Sequence, residues 1–362
     1  MKRLLCIVSS LDTGGAETFM MKIFRGLPSE YKLDFIVSTD SGFYEKEVLS
    51  LGGKIHRVPL RTEHPIGTFN AIRKIVKENK YQYVLKLCDT PIGFFDLLAA
   101  KTGGASKLCV RSCNANSNEG RIKSLVNKIL RPFFNAITDV KIAPSKLAAE
   151  YTFGSNIVNK NKVVFLHNAV DLDIYQYKTE KRKNIRGELH IKPEQLVVGH
   201  IGRFNYQKNH EFLLDIFASI LSKRKDAILL LVGDGEKREE IVSKIDKLGL
   251  KQNVVLTGVR SDVPDLLSAM DVFVFPSFFE GMPNTIIEAQ ATGLPCVLSD
   301  TITKEAQITE LLKYLSLNEK SDIWAETAIN SVLKDRTDTR EDFIKEGYNI
   351  EYSISKLIEI IF

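Results

Sequence analysis

The 362-residue chain predicts an α/β protein with two doubly wound parallel sheets. Three observations carry that expectation. Short apolar runs alternate with helix-like stretches throughout. The length is generous for one core and comfortable for two domains. A polar, charged stretch without apolar periodicity, Tyr175 to Gln195, divides the runs into two sets.

Taken in order, the strand candidates of the first half are "LLCIVS", "LDFIVS", "KIHRV", "YVLKL", "KLCVR", "DVKIA" and "KVVFL". Those of the second half are "LVVGHI", "AILLLVG", "NVVLTG", "DVFVFP" and "PCVLS". The chain ends on an amphipathic helix, "IEYSISKLIEIIF". The expected domains are residues 1–172 and 173–348, with the helix 349–362 packing back on the first. No solenoid repeat or low-complexity segment interrupts them.

Composition places the chain among ordinary soluble proteins, with 44% apolar and 26% charged residues. Five scattered cysteines, with no CxxC pair, read as thiols in a reducing compartment. The N-terminal apolar run is too short for a signal peptide, and no run reaches transmembrane length. The expected location is the cytoplasm. Charge is uneven: residues 1–170 hold 25 Lys/Arg against 14 Asp/Glu, the remainder 25 against 31. One half therefore faces something anionic. No nucleic-acid-binding motif is present, so nucleic acid is not expected as a partner. A membrane surface or a phosphorylated substrate fits the excess.

Two glutamates in "FFEGMPNTIIEAQATGLP", Glu280 and Glu288, stand where the strand "DVFVFP" ends and a helix begins. Gly281 and Pro283 favour a loop carrying Glu280, then a helix from about Asn284 with Glu288 one turn inside. Ligands of open parallel sheets bind at that edge. In "IGRFNYQKNHEFLLDIF", Arg203 and Lys208 flank another strand end. Two fixed cations beside a helix N-terminus suit a diphosphate, although solvated surface cations are the bland alternative. "LVGDGEKREEI" lacks the third glycine of a dinucleotide fingerprint, and a tight turn explains it. In "LDTGGAETF", Gly14 and Gly15 allow close approach of a ligand ahead of a helix. Asp171 and Asp173 form a DxD whose simpler reading is a cap or turn. The six histidines show no metal-ligand spacing, so no metal site is expected.

"RIKSLVNKILRPFFNAI", Arg121 to Ile137, carries one apolar helical stripe flanked by Arg121, Lys123, Lys128 and Arg131. Packing on its own sheet and lying on an anionic membrane are both open readings.

Together these stretches resemble the retaining, nucleotide-sugar-dependent glycosyltransferases of family 4, closest to bacterial capsule, exopolysaccharide and O-antigen enzymes. The likeness rests on "GGAETF", "HNAVDLDIY", "GRFNYQKNHEFLL", "LLLVGDGE", "VVLTGVRSDVPDLLSAMDVFVFPSFFEGMPNTIIEAQATGLP" and "EGYNIEYSISKL". It implies the GT-B fold, two Rossmann-like domains facing across a cleft. It implies a metal-independent, retaining hexosyltransferase with a nucleoside-diphosphate sugar, UDP-hexose, as co-substrate and no cofactor. The acceptor would be a glycan or a polyprenyl-diphosphate-linked saccharide, and the enzyme would sit peripherally on the inner face of the membrane.

By the same resemblance Glu288 binds both ribose hydroxyls and Glu280 lies by the donor sugar. Arg203 and Lys208 hold the diphosphate. Gly202, the backbone of Gly281, Met282, Pro283, Asn284 and Thr285, and that of Val259 and Arg260 at the base complete the donor site. Gly14 and Gly15 close over it from the first domain. Relatives often carry histidines where "RSCN" and "KLCD" stand here, so either Arg111, Cys113 or Asn114 would take that place or the donor sugar would be held differently. Two alternatives stay open: a GT-B sugar-nucleotide 2-epimerase, and a catalytically silent binding protein.

Overall fold

Seven strands of the first half are β1 Lys2–Ile7, β2 Tyr31–Val37, β3 Ile55–Arg57, β4 Tyr83–Cys88, β5 Lys107–Ser112, β6 Val140–Ala143 and β7 Val164–Phe165. They line up in the order β3-β2-β1-β4-β5-β6-β7. Six more, β8 Val197–Ile201, β9 Ile228–Val232, β10 Val254–Gly258, β11 Val272–Phe275, β12 Cys296–Ser299 and β13 Leu312–Leu315, line up as β10-β9-β8-β11-β12-β13. Every neighbouring pair is parallel. The structure is a computed structural model and describes residues 1–12, 14–88, 90–113, 121–280 and 282–362, without the side chains of 121–123.

Both sheets are thus doubly wound in the Rossmann manner, and the expected fold class is borne out. The central strands "ILLLV" and "VFVF" are buried throughout, as parallel strands covered on both faces must be. Cys6, Cys109 and Cys296 are buried thiols.

The chain divides into two compact units, Met1–Ala169 with Gly347–Phe362, and Val170–Glu346. The last helix, Ile350–Ile361, buries Ile350, Ile354, Leu357 and Ile361 in one core with Met20, Ile23 and Phe24 of the helix Gly15–Gly26. Phe362 sets its ring 4.8 Å from those of Tyr31 and Tyr83.

Two elements escape the sequence reading. The polar stretch 175–195, which divides the two sets of runs, is itself structured. It holds the helix Thr179–Glu188, which belongs to the second unit. Arg182 and Arg186 reach Asp271, just before β11, at 2.7 and 2.8 Å. Arg186 also donates to the carbonyls of Ala269, Lys192, Pro193 and Gln195. The helix is docked by charge and hydrogen bonds, which apolar periodicity does not detect. The strand β13, "LKYL", was also absent from the expected set; it is an edge strand with Lys313 exposed.

Candidate active site

β8 and β11 are neighbours in space, and the strand order reverses between them. Loops leaving the carboxyl ends of such strands diverge, which opens a crevice. Here the loops are Gly202 to Asn209 and Pro276 to Pro283. They are laced together: the Phe278 amide donates to the Gln207 carbonyl (2.9 Å), Gln207 Nε2 to the Phe279 carbonyl (2.9 Å) and Asn209 Nδ2 to the Pro276 carbonyl (3.1 Å). Asn209 itself is left-handed, at φ 52°, and precedes the helix His210–Lys223. Asn tolerates that conformation better than most residues.

The lacing brings Lys208 Nζ to 2.7 Å from Glu280 Oε1, with both side chains largely buried. The ammonium lies 4.5 Å over the Phe275 ring, a further hold on its position. A Cβ on Gly202 would stand 3.1 Å from Lys208 Cε and 3.3 Å from His200 Nε2, so a side chain there would crowd the lysine. Gly233, at φ 138°, serves the same loop: a Cβ there would lie 2.1 Å from the Gly202 carbonyl oxygen. The Gly-Asp-Gly stretch is therefore a close chain crossing, sealed by the Phe204 amide donating to the Asp234 carbonyl at 2.9 Å.

After Met282 and Pro283 comes the helix Asn284–Ala291, containing Thr285 and Glu288. Glu288 is buried just past its first turn. Gly281 lies outside the described residues. The two glutamates thus occupy a loop and the following helix, as their spacing suggested.

Arg203 departs from the expected pair of fixed cations. Phe204 takes the inward position, so the Arg203 side chain is 72% exposed and, among the described residues, pairs with Glu236 alone, at 3.3 Å. Arg260 is spent on Asp262 and Glu188, both at 2.6 Å, and these carboxylates raise its pKa. Val259 beside it is exposed.

A histidine pair beneath Lys208 went unnoticed in the sequence. His200 and His210 are buried with ring centroids 4.7 Å apart. His200 Nδ1 shares a hydrogen bond with the Val274 carbonyl at 2.9 Å. Burial and then the Lys208 charge push His210 down to about 4, so it is neutral at pH 7. The available signal was a histidine inside the apolar run "LVVGHI".

In the first unit, Gly14 precedes the helix Gly15–Gly26, but the space beside its Cα holds the Glu17 carboxylate. The expected open ligand approach there is already occupied. Arg111 is likewise enclosed, 1% exposed, donating to Asn168 Oδ1 at 2.5 Å with its guanidinium 4.0 Å over Phe19. Burial lowers its pKa. Cys113 is half-buried, and its thiol donates to the Arg111 carbonyl. Asn114 lies outside the described residues.

The helix Arg121–Ile137 runs through Pro132 without a break. It buries Phe134 and exposes Leu125, Ile129 and Phe133, each about 60% open. Lys128 is exposed, but Arg131 donates to the Tyr151 carbonyl at 3.1 Å. The side chains of Arg121 and Lys123 lie outside the description. Asp171 caps a short helix by accepting from the Asp173 and Ile174 amides. No group of three or more metal-ligating side chains gathers among the described residues.

With this geometry in hand, known proteins can be compared. Residues 13–174 match the family described as "Glycosyltransferase Family 4", and residues 181–350 that described as "Glycosyl transferases group 1". EpsF of Bacillus subtilis, a protein assigned to the glycosyltransferases, is 31% identical over 99% of this chain and 96% of its own. An Escherichia coli UDP-Gal:α-D-GlcNAc-diphosphoundecaprenol α-1,3-galactosyltransferase is 29% identical over 64% of this chain and 60% of its own. Among solved structures, Anabaena HepE in complex with UDP superposes with a TM-score of 0.78 at 19% identity, covering 99% of each chain. The likeness to GT-B glycosyltransferases thus spans both units, and the chain belongs to glycosyltransferase family 4.

Proposed function

We propose that this glycosyltransferase moves a hexose from a UDP-sugar to a hydroxyl of a lipid-linked glycan, with retention, in surface polysaccharide assembly. The observation that carries the proposal is the Lys208–Glu280 pair at the strand-order reversal, with Glu288 inside the next helix. The relatives supply the substrate class: the Escherichia coli enzyme is named for UDP-Gal and a diphosphoundecaprenol acceptor, and HepE structures contain UDP or UDP-glucose.

In this reading Lys208 neutralises charge that grows on the leaving diphosphate, the logic of electrostatic catalysis. Glu280, in contact with it, orients a donor-sugar hydroxyl. The pair therefore brackets the bond that breaks. The N-terminus of the helix at Asn284, through Met282 to Thr285, favours the anion. Glu288 accepts from the ribose hydroxyls, having two acceptor oxygens and no donor. The backbone at Val259 and Arg260 meets the base, since the Arg260 side chain is engaged elsewhere. Arg203 is free to swing onto the diphosphate. The fixed Lys208, joined by Arg203 once it swings in, takes the place of a divalent metal. Product formation from UDP-hexoses and polyprenyl-diphosphate saccharides, measured in chelator, tests this; activity only on Mn²⁺ or Mg²⁺ addition overturns the metal-free part.

Glu288→Ala should weaken UDP binding by about 1.5–3 kcal/mol, the value of hydrogen bonds to a charged group. Calorimetry showing unchanged UDP affinity would remove Glu288 from the ribose.

We further propose a peripheral hold on the inner membrane face. No helix among the described residues is long and apolar enough to cross a membrane. The exposed Leu125, Ile129 and Phe133 face, with Lys128 beside it, suits an anionic surface. Each lysine or arginine near such a surface contributes about 1 kcal/mol, and Arg131 is already bonded, so the apolar face carries most of the hold. Ile129→Ser/Phe133→Ser should lower co-sedimentation with anionic vesicles at least about tenfold while UDP affinity stays unchanged. Wild-type vesicle binding by that variant would place any attachment elsewhere.

A further inference from the structure

The loops that position Lys208 and Glu280 also line a cavity of 160 Å³, walled in part by Asn205, Tyr206, Asn209, His210 and Phe278. We propose that this cavity is a saccharide subsite, taking one neutral sugar ring of a glycan separately from the nucleotide. The occupant's identity as a glycan unit rests on the glycosyltransferase reading above; the ligand chemistry does not.

Two independent observations point to a ligand with hydroxyls and an apolar face. His210 is 3% exposed, and neither of its ring nitrogens has a hydrogen-bond partner among the described residues. A neutral imidazole offers one donor and one acceptor. Buried polar atoms are nearly always paired, and each left unmade costs stability. A sugar hydroxyl both donates and accepts, so one seated against the His210 wall suits a ring nitrogen in either role. The second observation is aromatic. Tyr206 stacks on Phe278 at 4.7 Å and 21°, yet Tyr206 is 64% exposed. An exposed, rigid aromatic pair offers a flat apolar surface to the C–H face of a pyranose.

The amides add to the match. Asn205 Oδ1 accepts from the Lys208 amide and Asn209 Nδ2 donates to the Pro276 carbonyl. Asn205 Nδ2 and Asn209 Oδ1 make no hydrogen bond among the described residues, leaving one donor and one acceptor. Charge selects against a nucleotide. The wall carries two carboxylates, Glu211 and Glu240, against one ammonium, Lys237, which is paired with Glu240 at 2.6 Å. At 160 Å³ the cavity is smaller than the roughly 300–1,000 Å³ of pockets for drug-sized ligands, which limits it to a single small ring. Asn205 holds the Lys208 amide, and Phe278 is two residues from Glu280, so a ring here would lie beside the reacting pair.

The test is saturation-transfer NMR on the full chain with methyl α-glucoside, methyl α-galactoside and N-acetylglucosamine as probes. At least one should show transfer that UDP and inorganic phosphate do not displace. Tyr206→Ala should weaken that binding about tenfold and leave UDP affinity as in wild type. Three results overturn the proposal: no probe binds, UDP displaces the probe, or Tyr206→Ala binds the probe as wild type does. If a probe binds in the Tyr206-dependent way but UDP does not bind at all, the subsite stands and the UDP reading falls.

Discussion

Lys208→Met should lower kcat by about 10²–10³, as for the loss of one donor to a developing oxyanion, with a much smaller change in KM for the donor. Methionine keeps most of the stem that lies against Gly202 and removes only the charge. The Glu280 carboxylate then loses its partner at 2.7 Å, so the double variant Lys208→Met/Glu280→Gln is the control for misplacement of Glu280. If both variants lose kcat alike, the loss belongs to the missing cation. A rise in KM with kcat intact would mean Lys208 contributes uniform binding, and its assignment to the leaving group would fall.

Asp271→Ala should destabilise the second unit by about 3 kcal/mol, the scale for removing one partner of a buried ion pair. Asp271 accepts from Arg182, Arg186 and the Val197 amide (2.7 Å), so it ties the helix Thr179–Glu188 to the start of β8 and to β11. Its loss strands two guanidinium groups, one of them nearly buried. Urea unfolding of the full chain, followed by Trp324 fluorescence, reads the second unit because Trp324 lies in its core. A change under about 1 kcal/mol would show that Arg186, with its four carbonyl acceptors, holds the helix without Asp271.

Most of the fold was legible because parallel strands are apolar on both faces, and their runs stand out between helices. The helix Thr179–Glu188 escaped because it buries little beyond Ile185 and Arg186, and its attachment is polar. β13 escaped because half of an edge strand faces water. The site was legible in part. Gly281 and Pro283 announced the loop-to-helix change between Glu280 and Glu288. The partnership of Lys208 with Glu280 was not, since 72 residues separate them and only the strand-order reversal joins them. Arg203 and Arg111 show the converse limit. Residue type suggested two ligand-facing cations, but the inward turn of Phe204 sends one to the surface and the Phe19 ring and Asn168 enclose the other.

The return of the last helix to the first unit sets an order of events during synthesis. The first unit lacks Ile350, Ile354, Leu357 and Ile361 until translation has passed the whole of the second. At about 5–20 residues per second, the 177 residues of Val170–Glu346 occupy the ribosome for roughly 9–35 s. Throughout that interval Met20, Ile23 and Phe24 await part of their cover. The second unit, being continuous in sequence, can finish folding first. The chain is thus made in one direction and completed in the other, with its first unit sealed by a helix that emerges only after the second.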